Sequence, residues 1–328
     1  MKNILIISAL AGVLALSSCW RDDLYYATVD RATVRIEADW TPARLTPNGV
    51  SAFVFDRNGA AFDVVRSNDS RKVDLSLPEG SYSVVVLNNT LDEYRNIESA
   101  GTDRLETFAL MGRAVSPNFT SLGGGTRAES FIGEPDTVAG SVVRNIEVTR
   151  KMIEYFRTKP HGMEPAPAAV YQTAPTRIIS VADIRVHVKG LKYAAGAPRT
   201  HLKNLSGGYY LDSDKPHSLQ VCHEFVLNNR CFDAEDPRNG TITRQLATFG
   251  LHDETGVRYL MEMEFVLLNG EKHPVSLDVT DAIRVTQGAT HKIIHIVEIE
   301  LPEVIGNGDG AFDPDLEEWE DIDVDIPM

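Results

Sequence analysis

Apolar and polar residues alternate with period two along much of the chain. Val34, Ile36, Ala38 and Trp40 alternate with Arg35, Glu37 and Asp39. Val73, Leu75 and Leu77 alternate with Asp74 and Ser76, and the turn sequence PEGSY at 78–82 leads into the apolar run from Ser83 to Leu87. Ile184, Val186 and Val188 alternate with Arg185, His187 and Lys189. Tyr259, Met261, Met263, Phe265 and Leu267 repeat the pattern, with Glu262 and Glu264 opposite. Successive side chains of a strand point to opposite faces, so this spacing predicts half-buried strands with one dry face. DRNG at 56–59, TPNG at 46–49 and LNG at 268–270 are turn signals between them. Helical spacing is scarce, with a turn or two at Leu91–Ile97 and at Thr280–Arg284. Many short strands without alternating helices predict an all-β chain of antiparallel sandwiches.

The pattern breaks in three places. Residues 157–176 hold four prolines and no clean alternation, which predicts a connection, because proline removes donors and stiffens the chain. Each half then opens on a clear strand, 33–40 and 181–189. Residues 118–141 are rich in Gly, Ser and Thr and read as a long loop. From Glu298 to Met328 there are twelve acidic residues and no Lys or Arg. There Ile322, Val324 and Ile326 alternate with Asp321, Asp323 and Asp325 beside Trp319, which predicts a C-terminal strand, apolar on one face and acidic on the other. The alternation favours this strand over disorder. The expected organisation is therefore a leader at 1–18, a tether at 19–31, an N-terminal β-sandwich at 32–160, a connection at 161–176 and a C-terminal β-sandwich at 177–328.

The leader has the form of an export signal. Lys2 precedes thirteen apolar-rich residues, Ile4–Leu16, too few for a membrane span of about 20. Leu16-Ser17-Ser18-Cys19 resembles a bacterial lipobox, which implies acylation of Cys19 by chains such as palmitate and cleavage just before it. Arg21-Asp22-Asp23 resembles the short signal that sends Bacteroidetes lipoproteins to the outer face of the outer membrane. Without residues 1–18, 310 residues remain, with 31 basic and 47 acidic side chains, a net charge of −16. That charge argues against nucleic acid as a partner.

Chemistry is hard to find. His291 and His295 share one face of an expected strand without an HExxH frame, and His223-Glu224 is no more specific. A calcium-loop register over 305–316 begins on Ile305 and ends on Leu316, neither an oxygen donor. No GxSxG, P-loop or GxGxxG motif occurs, and no cofactor or enzymatic activity is expected. Cys222 and Cys231 form an exported pair whose bridging stays open. If Asn228-Asn229 is a hairpin turn, Cys231 faces Val226 and not Cys222. Asp136-Thr137-Val138 resembles the Asp-Thr-aliphatic site at which Bacteroides exported proteins are O-glycosylated on Thr137.

The lipobox with Arg-Asp-Asp, the strand ATVRIEADW, DLSLPEGSYSVVVLN, ADIRVHVKGL, LKNLSGGYYL and the closing GAFDPDLEEWEDIDVDIPM together resemble the FimB-type fimbrial subunits of Bacteroidales, the minor anchor proteins of surface fimbriae. The resemblance implies two transthyretin-like β-sandwich domains on a lipid tether. It also implies attachment of other fimbrial subunits by strand exchange, a form of β-augmentation. Stalk members of the family are cut after an arginine, and nothing selects among Arg31, Arg44, Arg113 and Arg127 here. The alternative expectation is a surface glycan-binding lipoprotein of a polysaccharide-uptake system, with Trp20, Trp40 and Trp319 as candidate sugar platforms.

Overall fold

The computed structural model describes residues 30–119, 129–157, 166–252, 255–285 and 291–304. Its first strands are β1 (Arg31–Ala38), β2 (Val50–Asp56), β3 (Ala61–Ser67), β4 (Lys72–Pro78) and β5 (Gly80–Asn88). β6 (Ile97–Ala100), β7 (Ala109–Gly112), β8 (Phe131–Ile132), β9 (Ala139–Val148), the helix α1 (Arg150–Arg157), β10 (Ala169–Thr173) and β11 (Thr176–Arg177) follow. The second half holds β12 (Ser180–Lys189), β13 (Arg199–Ser206), β14 (Gly208–Tyr210), β15 (Lys215–Pro216), β16 (Gln220–Val226) and β17 (Asn229–Phe232). It ends with β18 (Gly240–Thr248), β19 (Leu260–Val266), β20 (Lys272–Asp278), β21 (Ile283–Val285) and β22 (His291–Glu300).

These strands make five sheets. Sheet I has the order β10-β1-β4 and sheet II the order β11-β9-β5-β2-β3. Between them lie Val34, Ile36, Val73, Leu75, Leu77, Val84 and Val86, all at most 2% exposed. α1 closes this core with Ile153. In the second half, sheet III (β20-β19-β13-β16-β8) faces sheet IV (β17-β18-β12-β22-β21) across Ile184, Val186, Leu202, Met261, Met263 and Phe265. The expected alternations of β1, β4, β12 and β19 all present their apolar sets to these cores. Antiparallel pairing dominates, but β1–β10, β12–β22 and β16–β8 are parallel ladders.

Sheet V (β15-β14-β7-β6) draws its strands from both halves, through the antiparallel register Gly208↔Met111, Tyr209↔Leu110 and Tyr210↔Ala109. A third apolar cluster forms here. It joins Phe53, Phe55, Val85 and Leu87, on the outer face of sheet II, to Phe108, Leu110, Leu211, Val221 and Phe249. Sheet II is thus covered on both faces, which accounts for the unbroken apolar runs of β2 and β5, buried at every position from Val50 to Phe55 and from Val84 to Leu87.

Several expectations are corrected. The stretch 118–141 holds β8 and the start of β9. Ala169–Thr173, inside the expected connection, is a strand of sheet I, lying between Pro167 and Pro175. The PEGSY turn carries the chain from sheet I to sheet II. Asn228-Asn229 is no hairpin turn: β16 pairs in sheet III and β17 in sheet IV. Leu227, fully buried, pins the crossing into the core. Cys222 and Cys231, placed in opposite sheets by that crossing, are both free, the first buried and the second exposed.

Candidate interaction surface

A protein that binds by strand addition needs an unpaired sheet edge, so the edges are where a site would form. β20 is a poor candidate, because Pro274 sits in it and proline has no N–H to donate. β3 is better. It pairs on one side with β2, and its seven residues are exposed or half-exposed. Phe62 and Val64 keep 40% and 39% of their surface in water, with the Phe62 ring 5.4 Å from that of Tyr82. Two features limit the edge. The Ala61 N–H donates to the Asp103 carbonyl at 2.8 Å, and the Asp63 carboxylate accepts the Val64 N–H at 2.8 Å. Phe232 on β17 and Val170 on β10 are the exposed apolar residues of two further edges.

Charged groups concentrate where residues 113–119 and 129–138 lie against the second half. β8 adds to the edge of β16, with Cys222↔Phe131 and His223↔Ile132. Glu224 accepts the backbone N–H groups of Asn118 and Phe119 at 2.8–2.9 Å, and lies 3.2 Å from His201 Nε2. Burial opposes ionisation of Glu224, but these hydrogen bonds overcome it and hold the carboxyl below its usual range. Phe131 meets the His201 ring edge-on at 5.1 Å. Lys203 Nζ lies 2.9 Å from Glu129 and 2.8 Å from Glu262. Burial would lower this amine, yet the two carboxylates raise it above its ordinary value. Arg244 pairs with Glu134 at the same seam. Each of these carboxylates has a cationic or N–H partner, and the cluster reads as a latch. Among the described residues no group of three or more His, Cys, Asp or Glu is placed to hold a metal ion.

His223 is an ionisable group in the core without a partner among the described residues. It shares the inward face of β16 with Val221 and Phe225 and is 1% exposed. Neither ring nitrogen has a hydrogen-bond partner among the described residues, and burial pushes its pKa down to about 4. Its periodicity was readable in the sequence, but its lack of a partner was not.

The expected site residues fare unevenly. Cys19, Arg21, Asp22, Asp23, Arg127, Trp20 and the tail residues Trp319, Ile322, Val324 and Ile326 lie outside the described residues. Thr137 is exposed, between Asp136, which accepts the Asn96 N–H at 2.8 Å, and Val138, which is fully buried. Trp40 is 5% exposed with its indole N–H on the Ser70 carbonyl, so it offers no sugar platform. Among the described residues no helix is long and apolar enough to cross a membrane.

Residues 18–225 match the family described as Domain of unknown function (DUF5119). The chain belongs to that family. The match takes in sheets I and II, sheet V and the strands β12, β13 and nearly all of β16 of this DUF5119 protein. A candidate adhesin from Bacteroides ovatus ATCC 8483 shares the fold, with a TM-score of 0.55 and 16% identity over 88% of this chain and 98% of that one. The fimbrial anchor protein Mfa2 from Porphyromonas gingivalis aligns over 82% of this chain and 89% of its own, at 14% identity and a TM-score of 0.46. No curated protein matches the chain.

Proposed function

We propose that this DUF5119 protein is a non-enzymatic, lipid-anchored surface protein. In this reading it is a fimbrial anchor or accessory subunit built from two tandem transthyretin-like sandwiches, and it binds other fimbrial subunits by β-strand addition. The observation that carries the proposal is the pairing of a lipobox-like sequence ending in Cys19 with an all-β chain whose edge strand β3 is, among the described residues, paired on one side only and partly apolar. Main-chain hydrogen bonds along such an edge supply strength, while Phe62 and Val64 supply contact area for an incoming strand. The FimB-type resemblance of the sequence supports the fimbrial part. Cys19 would hold the chain in the outer membrane and Arg21-Asp22-Asp23 would direct it outward.

The test combines deletion with an edge variant. Cells lacking the chain are expected to shed fimbriae into the medium. Cells carrying Val64→Pro, which places a ring without an N–H on the β3 edge, are expected to do the same while the variant stays on the cell surface. Normal fimbriation of the deletion strain would remove the fimbrial reading. Shedding in the deletion alone, with normal fimbriae on Val64→Pro, would remove β3 as the edge used.

A further inference from the structure

At the seam between the halves, a groove of about 290 Å³ runs between the outer face of sheet II and the β14–β15 hairpin. Its floor is apolar, with Val142 half-buried and Ile178 8% exposed. Its wall carries three kinds of polar group. The half-buried Tyr209 donates its hydroxyl to Asp214 Oδ1 at 2.9 Å. Arg144 Nη2 donates to the backbone carbonyl of Asp212 at 2.7 Å and to its carboxylate at 2.6 Å. Asp214 sits at φ +57° at the hairpin tip, a left-handed conformation that Asp adopts more readily than most residues.

The chemistry of this wall selects its occupant. Two carboxylates repel a phosphate, a sulfate or a uronic acid. Arg144 in the same wall repels a lysine or arginine side chain. A polyol is both donor and acceptor, and it is satisfied by carboxylates and a guanidinium together. The apolar floor and the Tyr209 ring suit the C–H face of a pyranose, since aromatic side chains offer a rigid apolar body with a polar tip. The volume is at the small end of ligand clefts, about 300 Å³, room for a single ring. We propose that this groove binds one pyranose residue of a neutral glycan, with Tyr209 and the floor stacking on the ring and Asp212, Asp214 and Arg144 reading its hydroxyls. This goes beyond the fimbrial reading and does not depend on it.

Saturation-transfer NMR on the purified chain tests it, with glucose, galactose, mannose and N-acetylglucosamine as probes, and glucuronic acid and a lysine-rich peptide as contrasts. At least one neutral sugar is expected to receive signal, strongest at the protons of one ring face. Asp214→Gly, which keeps the positive φ, and separately Val142→Arg, which fills the groove, are expected to weaken that binding by about tenfold or more with an unchanged thermal midpoint. If one variant melts early, the other carries the test. Signal on none of the four sugars would overturn the proposal, as would sugar binding that survives Val142→Arg in a folded protein. Preferential binding of glucuronic acid or of the peptide would assign the groove to an ionic partner instead.

Discussion

Replacing His223 with Leu should change how the protein responds to acid. The imidazole is 1% exposed, both its nitrogens lack partners among the described residues, and its folded-state pKa is about 4 against 6.5 when exposed. The native state therefore holds the neutral ring, while the unfolded chain takes up a proton as pH falls through 6.5. Stability from this group is intact above pH 6.5, is lost between pH 6.5 and about 4, and changes no further below that. For those two values, linkage gives a loss of about 2–3 kcal/mol between pH 7.5 and 4.5. Carboxylates titrating in the same window act equally on the wild type and the variant, so they cancel in the difference. The assay is urea unfolding of both proteins at the two pH values. His223→Leu is expected to be at least as stable as wild type at pH 7.5, because a buried polar group without a partner costs about 1–3 kcal/mol. At pH 4.5 its advantage should grow by about 2–3 kcal/mol. Parallel pH profiles for the two proteins would refute a buried neutral histidine.

Lys203→Met should destabilise the chain by about 3 kcal/mol, because it strands the Glu129 and Glu262 carboxylates against each other at a half-buried seam; guanidinium unfolding checks this, and further replacement of both acids by Gln should restore most of the loss. Cys19→Ala should abolish acylation and release the protein from membranes, whereas Asp22→Ala with Asp23→Ala should keep the lipid and lose surface display. Incorporation of labelled fatty acid and protease treatment of intact cells read the two outcomes separately. Val324→Asp should lower the thermal midpoint if residues 319–328 complete a sheet, since burying each such aliphatic side chain contributes about 1.5–3 kcal/mol; an unchanged midpoint excludes a self-completing strand.

The strands with one wet face could be read directly from the sequence. Burial on one side writes itself as alternation, and β1, β4, β12 and β19 fall where the alternation lies. β2 and β5 carry a different signature, an unbroken apolar run, which says that both faces are covered without saying by what. What covers them is sheet V and the third cluster, built from residues about a hundred positions apart, and no local pattern encodes that pairing. AVYQT of β10 is a sound strand sequence overshadowed by Pro165, Pro167 and Pro175 around it. The loop between the two cysteines was misread, while the sequence left their bridging open. Asn-Asn suggests a hairpin, yet the burial of Leu227 turns the same residues into a crossover between sheets. The candidate surfaces were the least readable part, because an open edge and a groove at a seam are properties of assembled sheets. The Tyr209–Asp214 pair needs the β14–β15 turn to form, and the Arg144–Asp212 pair needs that hairpin to meet β9.

The shared sheet gives the molecule a mechanical character. If the halves were joined only by the peptide around residues 174–179, a tug on one would swing it about that strand of chain. Instead β7 and β14 lie side by side, with Gly208, Tyr209 and Tyr210 registered against Met111, Leu110 and Ala109. β8 is laid along β16 as a second tie, a register away from the first. Tension across the seam then loads several backbone hydrogen bonds together, flanked by the packed rings of Phe53 and Phe108. Such a joint behaves as a beam, not a hinge, and it should yield in one event under force, with both halves letting go together.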